Sequence, residues 1–153
     1  MEKIAKNLNI GSEKEIAFNI FLNELNEWWP KEYTWSQNKL KEISIDPKPG
    51  GLCTEIGPFG FRCDWGRVTE LREGEFIKLK WQVGPHREPV PDPARASDIE
   101  VRFISTNSLV TTIEFEHYNF ENYGNGALEY RDMMDTAQGW DYILKSFKQH
   151  CEK

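Results

Sequence analysis

His117 and Glu55 are the two residues whose types and positions suit acid–base chemistry in a pocket. His117 ends an alternating segment in which Ile113 and Phe115 share its parity, so we expect the imidazole to point towards the interior or its rim. Beside a pocket it could orient a ligand or shuttle a proton near neutral pH. Hydrogen-bonded to a neighbour it would be purely structural, and we favour this interpretation because a buried imidazole needs a partner.

Glu55 lies in a short predicted strand, where the alternation leaves the direction of its side chain open. Pointing inward, it could act as an acid, a base or an anchor for a ligand, and its charge would then need a partner such as Arg67 or Arg102. The alternative is a solvated carboxylate on the outer face of a sheet, because charged residues are seldom fully buried.

Large aromatic side chains are the candidates for a cavity lining, since the chain has six Trp and nine Phe. The residues that could line a cavity are Trp65, Trp81, Phe103, Phe115 and Trp140. They could equally fill the core, because burying each one stabilises the fold by roughly 4 kcal/mol. Met133 could border the mouth, although a core role is as compatible with methionine. We expect a cavity, because side chains this large rarely pack without gaps.

The sequence has no recognisable metal-binding or nucleophilic motif. Cys53, Cys63 and Cys151 lack metal-ligand spacing, and an odd number of cysteines cannot all pair, so we predict free thiols. His86 and His150 lie in different predicted elements from His117 and do not compose a metal site with it. No nucleophile elbow, phosphate loop or dinucleotide-binding turn is present. We therefore predict no metal, no cofactor and no assigned catalytic residue, and an enzymatic role is the less favoured alternative.

Composition and charge exclude several other classes of function. The chain has 153 residues, 39% apolar content and a net charge of -6, which suits one soluble domain spanning residues 1–153. Lysine and arginine are dispersed, which argues against nucleic-acid and membrane partners. No stretch approaches the ~20 apolar residues of a membrane span. The start of the chain lacks the pattern of a signal peptide, so the cytoplasm is the expected location.

Seven segments with alternating apolar and polar residues predict an antiparallel sheet. They cover about residues 3–10, 41–46, 52–56, 62–71, 76–83, 98–105 and 109–117. In the clearest segment the inward residues are Ile77, Leu79, Trp81 and Val83, and the outward residues are Lys78, Lys80 and Gln82. Residues 84–97 carry four prolines and no apolar periodicity. A loop of this length often borders a site, although a solvated connection is equally compatible.

Apolar residues three, four and seven positions apart predict two main helices. The first covers about residues 13–27, begins at a capping box of Ser12 and Glu15, and ends before Pro30. Its apolar face consists of Ile16, Ala17, Ile20, Phe21 and Leu25. The last covers residues 138–152, with an apolar stripe of Trp140, Ile143, Leu144, Phe147 and Cys151. A helix-compatible run covers residues 127–133. The stripe of the last helix needs an apolar surface, and the concave face of the sheet would supply it.

Several short motifs, in this order, resemble those of a known family. They are Glu27-Trp28-Trp29-Pro30, Pro49-Gly50-Gly51, Trp65-Gly66-Arg67-Val68 leading to Trp81, Val101-Arg102-Phe103, Glu116-His117 with Phe120, and Gly139-Trp140. Together they resemble the START-like (SRPBCC) superfamily and, within it, the family named after the activator of the Hsp90 ATPase. The resemblance implies an α+β helix-grip fold, in which a strand, two helices, six further strands and a long helix form a curved antiparallel sheet around the last helix.

The same resemblance implies a deep pocket between the sheet and the last helix. We therefore predict a protein that binds a small, largely apolar or lipid-like molecule, with Glu55, Met133, His117 and the five aromatics above in the site. One alternative is a cyclase, dehydratase or hydrolase that uses Glu55 or His117 in the same pocket. Another is a chaperone-associated interaction module with an apolar patch on the outer face of the sheet. The chain is expected to be a monomer or a homodimer.

Overall fold

The computed structural model describes all 153 residues. Its seven strands are β1 Ile4–Ile10, β2 Glu42–Ile45, β3 Leu52–Ile56, β4 Arg62–Arg72, β5 Phe76–Trp81, β6 Ser97–Asn107 and β7 Val110–Tyr118. They form one antiparallel sheet in the order β1-β7-β6-β5-β4-β3-β2. The strand from the start of the chain thus pairs with the last strand, because Ile4 lies opposite His117.

Four helices accompany the sheet: α1 Lys14–Asn23, α2 Leu25–Trp28, α3 Ala127–Met134 and α4 Trp140–Cys151. The predicted helix over residues 13–27 is interrupted at Glu24, whose backbone leaves the helical region at φ -118° and ψ 26°. The predicted capping box is wrong. Glu13 occupies the N-cap position without a side-chain bond, because Ser12 still belongs to the turn that leaves β1, where its N–H bonds to the carbonyl of Ile10.

The last helix lies against the sheet with its apolar stripe buried. Trp140, Ile143, Leu144 and Phe147 are all buried. The Trp140 ring lies 4.5 Å from that of Phe115 on β7, and the Phe147 ring lies 5.0 Å from that of Trp28 on α2. These contacts join both helical layers and the sheet in one cluster of 30 buried apolar residues. The α+β helix-grip fold is confirmed.

Gly139 allows the chain to turn directly from α3 into α4. A Cβ atom at this position would lie 2.2 Å from the carbonyl oxygen of Met134, so any larger residue would push the two helices apart. The turn brings α3 beside the first turn of α4, where both contribute to the cavity described below.

Several side chains point in a direction that the sequence pattern did not predict. Gln82 was predicted to face solvent but is buried, because its amide group donates hydrogen bonds to the carbonyls of Val90 (3.0 Å) and Pro91 (3.1 Å) in the proline loop. Ile16 was predicted to lie on the apolar face of the first helix but is 48% exposed, whereas Phe18 and Leu22 are buried. Leu109 lies in the turn between β6 and β7 and is 70% exposed.

The outer face of the sheet is charged. Lys80 bonds to Asp98 at 3.1 Å, and Lys3 pairs with Glu116. Phe76 also belongs to this face, but it is buried beneath Arg102, whose guanidinium carbon lies 4.7 Å from the ring centre. The apolar patch expected for an interaction module is therefore not found on these strands.

The three cysteines are free, as predicted from their number. Cys53 is buried, whereas Cys63 and Cys151 are partly buried. None of the helices combines the length and the apolar character needed to cross a lipid bilayer.

Candidate ligand cavity

A cavity of about 590 Å³ opens between the β2–β5 half of the sheet, the end of α2, the start of α4 and the proline loop. It has 19 lining residues, of which 11 are hydrophobic. Four of the six tryptophans are among them: Trp29, Trp35, Trp65 and Trp81. The volume falls within the range of about 300–1,000 Å³ that is usual for small-molecule sites.

Three of these tryptophans form a continuous aromatic wall. The Trp29 ring is stacked on Trp65 at 5.9 Å with 26° between the planes, and Trp81 meets Trp65 edge to face at 5.8 Å. Trp29 is positioned by Pro30, because the residue before a proline is restricted to extended backbone, and Trp29 has φ -66° and ψ 131°. The indole faces therefore have fixed positions along the cavity.

Trp65 owes its position to a β-bulge. Cys53 on β3 lies opposite Gly66, whereas the next residue, Thr54, lies opposite Asp64, so Trp65 is the additional residue of β4. A bulge redirects a side chain and bends its strand. Gly66 is required here because a Cβ atom would lie 2.6 Å from the carbonyl oxygen of Lys80.

The indole N–H groups of the wall differ in their hydrogen bonds. Trp81 donates to the hydroxyl of Tyr130 at 2.8 Å, and that hydroxyl in turn donates to the carbonyl of Val83 at 2.8 Å. Trp65 is also buried, but its Nε1 has no hydrogen-bond partner. Such a donor costs about 1–3 kcal/mol when it stays unpaired, and native structures hold few of them.

Glu55 lines the cavity with a buried carboxylate, which answers the question that alternation left open. The prediction that an arginine pairs with Glu55 is wrong: Arg67 is exposed, and Arg102 lies over Phe76 on the outer face of the sheet. Three donors of the segment after α2 satisfy the carboxylate instead. They are the N–H of Trp35 on Oε1 (3.1 Å), and the N–H (2.8 Å) and hydroxyl (2.7 Å) of Ser36 on Oε2.

Residues 31–40 therefore form a cavity wall that Glu55 holds in place. The segment has only two short 3-10 turns, Lys31–Tyr33 and Gln37–Lys39. Its second attachment is the Trp35 indole, which donates to the carbonyl of Arg87 at 2.8 Å and so joins this wall to the proline loop.

His117 is fully buried and is not a lining residue of the cavity. Its Nδ1 accepts a hydrogen bond from the Trp140 indole at 2.9 Å, and its Nε2 lies 2.6 Å from the Ser97 hydroxyl. An indole nitrogen only donates, so Nδ1 carries no proton and Nε2–H donates to Ser97. Burial lowers the pKa of His117 well below its ordinary value.

The hydrogen bonds of His117 continue to the cavity wall. Ser97 donates onward to the Tyr123 hydroxyl at 2.8 Å, and Tyr123 donates to the carbonyl of Trp81. Burial raises the pKa of Tyr123 to about 12, so this hydroxyl keeps its proton at neutral pH. The series from Trp140 to Trp81 thus has one donor direction and fixes the backbone beside a lining residue.

The structure separates the predicted site residues into two groups. Glu55, Trp65, Trp81 and Met133 line the cavity. Phe103, Phe115, His117 and Trp140 lie in the buried core behind it. Whether any of these eight residues contacts a ligand stays a prediction.

The mouth of the cavity is bordered by exposed residues of α3 and the proline loop. Met133 is 57% exposed, and Pro85, His86 and Arg87 contribute from the loop. The tip of this loop is held by the hydrogen bond from the N–H of Gly84 to the carbonyl of Glu88, and Arg87 has a left-handed backbone with φ 62°. Of the two interpretations of residues 84–97, the structure therefore matches a loop beside a cavity.

Sequence reasoning missed Trp29, Trp35, Tyr130 and Arg87 as lining residues. Trp29 had a usable signal, because a tryptophan directly before Pro30 at the end of a helix is fixed in extended backbone. Trp35 lies in a polar segment without periodicity, so no pattern indicated which way it points. Tyr130 and Arg87 depend on how α3 and the proline loop fold back over the sheet.

Comparison with known proteins agrees with this geometry. The sequence profile of the family described as activator of Hsp90 ATPase homolog 1-like protein matches residues 14–152. The chain belongs to this family. The resemblance seen in the motifs is thereby confirmed, and with it the START-like superfamily. No curated protein matches the sequence at a significant level.

Solved structures similar to this family member cover almost the whole chain. An anthrahydroquino-gamma-pyrone synthase, Txn09, solved in complex with SUM, has 26% identity and a TM-score of 0.70 over 97% of this chain and 96% of its own. The self-sacrificing resistance protein CalC from Micromonospora echinospora has 22% identity and a TM-score of 0.66, covering 97% and 93% of the two chains. The Aha1 dimer from Colwellia psychrerythraea has 18% identity and a TM-score of 0.65, covering 99% and 97%. Family and fold together support a ligand-binding architecture.

Proposed function

We propose that this protein binds a small, flat aromatic molecule in the cavity between the sheet and α4. The observation that carries the proposal is the wall of Trp29, Trp65 and Trp81 around about 590 Å³ of open volume. Indole faces at fixed positions attract aromatic rings by stacking and edge contacts, at about 0.5–1.5 kcal/mol per pair beyond the area that is buried.

The open volume beside the tryptophans supports a ligand over a wall that exists for packing alone. A core needs no exposed volume beside its tryptophans, and a buried donor without an acceptor destabilises it.

The similarity to Txn09 supports the aromatic class of ligand. That protein is described as the synthase of an anthrahydroquino-gamma-pyrone, which is a planar fused-ring compound, and it is 26% identical to this chain over nearly its full length. The proposal for this chain is a ring system of that general shape, held between the tryptophan wall and the first turn of α4.

A titration with N-phenylnaphthylamine, a neutral aromatic probe that fluoresces in apolar surroundings, tests the proposal. We expect saturable binding at one site per chain, with quenching of tryptophan emission. Thr136→Trp, which places a large ring at the exposed edge of the mouth, should weaken binding at least about tenfold by obstruction. Thr106→Trp, an exposed position on β6 outside the lining, is the matched control. No binding by the wild type, or equal binding by both variants, would contradict the proposal.

A second candidate function is an acid–base reaction in the same cavity, such as a cyclisation or dehydration, with Glu55 as the base. The buried position of this carboxylate in the cavity wall favours it. The Oε1 atom accepts one hydrogen bond and has capacity for a ligand proton, whereas Oε2 accepts two. Incubation with an aromatic polyketone tests this candidate: Glu55→Gln should lose turnover even at saturating polyketone, where weaker binding caused by a loosened wall of residues 31–40 no longer limits the rate. Equal turnover by wild type and variant would exclude Glu55 as the base.

A further inference from the structure

We propose that the ligand of this cavity carries an acidic group, a carboxylate, sulfonate or enolate, which lies at the mouth against the guanidinium of Arg87. This inference rests on the proposed function and specifies the chemical class of the ligand.

Arg87 lines the cavity and has no carboxylate partner. Its side chain forms no ion pair and no hydrogen bond, whereas Arg131 on the neighbouring helix is paired with both Asp132 and Asp135. In a chain with a net charge of -6, a guanidinium without an ion pair beside this cavity is a local positive charge that can attract an anion. Arginine also binds planar anions through two parallel hydrogen bonds.

The loop of Arg87 is built before any ligand arrives. The N–H of Gly84 donates to the carbonyl of Glu88 at 2.8 Å, and the N–H of His86 donates to the carboxylate of Glu88 at 2.8 Å. Arg87 itself has a left-handed backbone, and its carbonyl accepts the indole N–H of Trp35. A non-glycine residue in this conformation costs of order 1 kcal/mol, and such positions are concentrated at functional sites. The guanidinium is therefore attached to a fixed point of the rim.

The charge of Arg87 reaches the cavity wall. Burial raises the pKa of the Tyr130 hydroxyl; the negative charge of Glu88 adds to that rise, and the positive charge of Arg87 opposes it. The only carboxylate in the lining, Glu55, already accepts three hydrogen bonds, so its charge is compensated from within the protein. The guanidinium of Arg87, which forms no ion pair, would repel a cationic ligand at the entrance and attract an anionic one.

Two probes with the same ring system separate this inference from the proposed function. Anilinonaphthalene sulfonate carries an acidic group, and N-phenylnaphthylamine is its neutral counterpart. We expect the wild type to bind the sulfonate about five- to tenfold more tightly than the neutral probe, because an ion pair at a partly exposed rim contributes modestly. The advantage should decrease as salt is added.

Three variants assign the effect to one side chain. Arg87→Gln should lose the advantage of the sulfonate and leave the affinity for the neutral probe within about twofold, whereas Arg87→Lys should keep most of the advantage. Arg95→Gln is the matched control, since Arg95 is exposed, forms no ion pair and lies outside the lining. Arginine, glutamine and lysine at position 87 experience the same backbone strain, so the comparison among them measures the effect of the charge.

The possible outcomes are distinct. Loss of the sulfonate advantage in Arg87→Gln alone supports the inference. Equal affinity of the wild type for the two probes, or an advantage that persists in Arg87→Gln, overturns it and leaves the proposed function standing. Binding of neither probe contradicts both.

Discussion

Trp65 and Trp81 lie side by side in the cavity wall, but only the indole N–H of Trp81 has an acceptor. Phenylalanine at either position removes a similar volume and the N–H group. We expect Trp81→Phe to lower the free energy of unfolding by about 1 kcal/mol more than Trp65→Phe, because only Trp81→Phe loses a hydrogen bond. Urea denaturation of the two variants measures the difference. Equal losses would show that Trp65 finds a partner in solution.

His117 makes stability depend on pH, because its neutral form is fixed by burial and by the bond from Trp140. Below about pH 6.5 the unfolded chain takes up a proton at this residue and the folded chain does not. Stability should therefore decrease as the pH falls, by up to about 1.4 kcal/mol per pH unit. Denaturation between about pH 7.5 and 5.5 measures the slope. His117→Gln should have a shallower slope, and identical slopes would contradict this assignment.

Among the elements, the segment of residues 31–40 depends on a single side chain of β3. Glu55→Gln removes the charge that three donors of Trp35 and Ser36 share. We expect a loss of about 2–3 kcal/mol, because hydrogen bonds to charged groups contribute about 1.5–3 kcal/mol each and the amide keeps one acceptor. Amide exchange at Trp35 and Ser36 should accelerate more than elsewhere. Glu42→Gln on the exposed side of β2 is the control, with a change within about 0.5 kcal/mol.

The sequence predicted the elements better than their attachments. Alternation located all seven strands because each has one buried face, and periodicity located α4 because its apolar stripe is continuous. It could not orient Glu55, because the adjacent positions hold polar Thr54 and apolar Ile56, so neither face of this strand is clearly the apolar one. It could not orient Gln82 either, since the partners of its amide group lie in a loop without periodicity.

For the whole molecule, the fold depends on α4 filling the sheet's concave side. Trp140→Ala should destabilise the protein by ~3–5 kcal/mol, because it leaves a cavity and removes the donor to His117 Nδ1. Leu128→Ala, at a position of α3 that is 55% exposed, should change stability by less than about 0.5 kcal/mol. Denaturation curves of both variants test this. A midpoint for Trp140→Ala near that of the wild type would contradict the packing described for α4.

Only half of the predicted site residues line the cavity, because the helices cover some parts of the curved sheet and leave others open. Parity states which face of a strand a residue occupies, and Phe103, Phe115 and Trp81 all face inward. It does not state which part of the curved sheet is covered by helices. Phe103 lies under α1, with its ring 5.2 Å from Phe18, whereas Trp65 and Trp81 lie in the half where α3 and the proline loop leave open volume.

The central claim is that an aromatic ligand lies against the tryptophan wall, and proton–nitrogen correlation NMR of the indole groups tests it most directly. The spectrum is recorded while N-phenylnaphthylamine is added, and each signal is assigned with a Trp→Phe variant. We predict that the indole signals of Trp29, Trp35, Trp65 and Trp81 shift to saturation together. The signal of Trp28, whose N–H donates to the carbonyl of Ile20 outside the lining, should move least. Unchanged signals from the four lining tryptophans at saturating probe, or shifts confined to amides on the outer face of the sheet, would contradict the account.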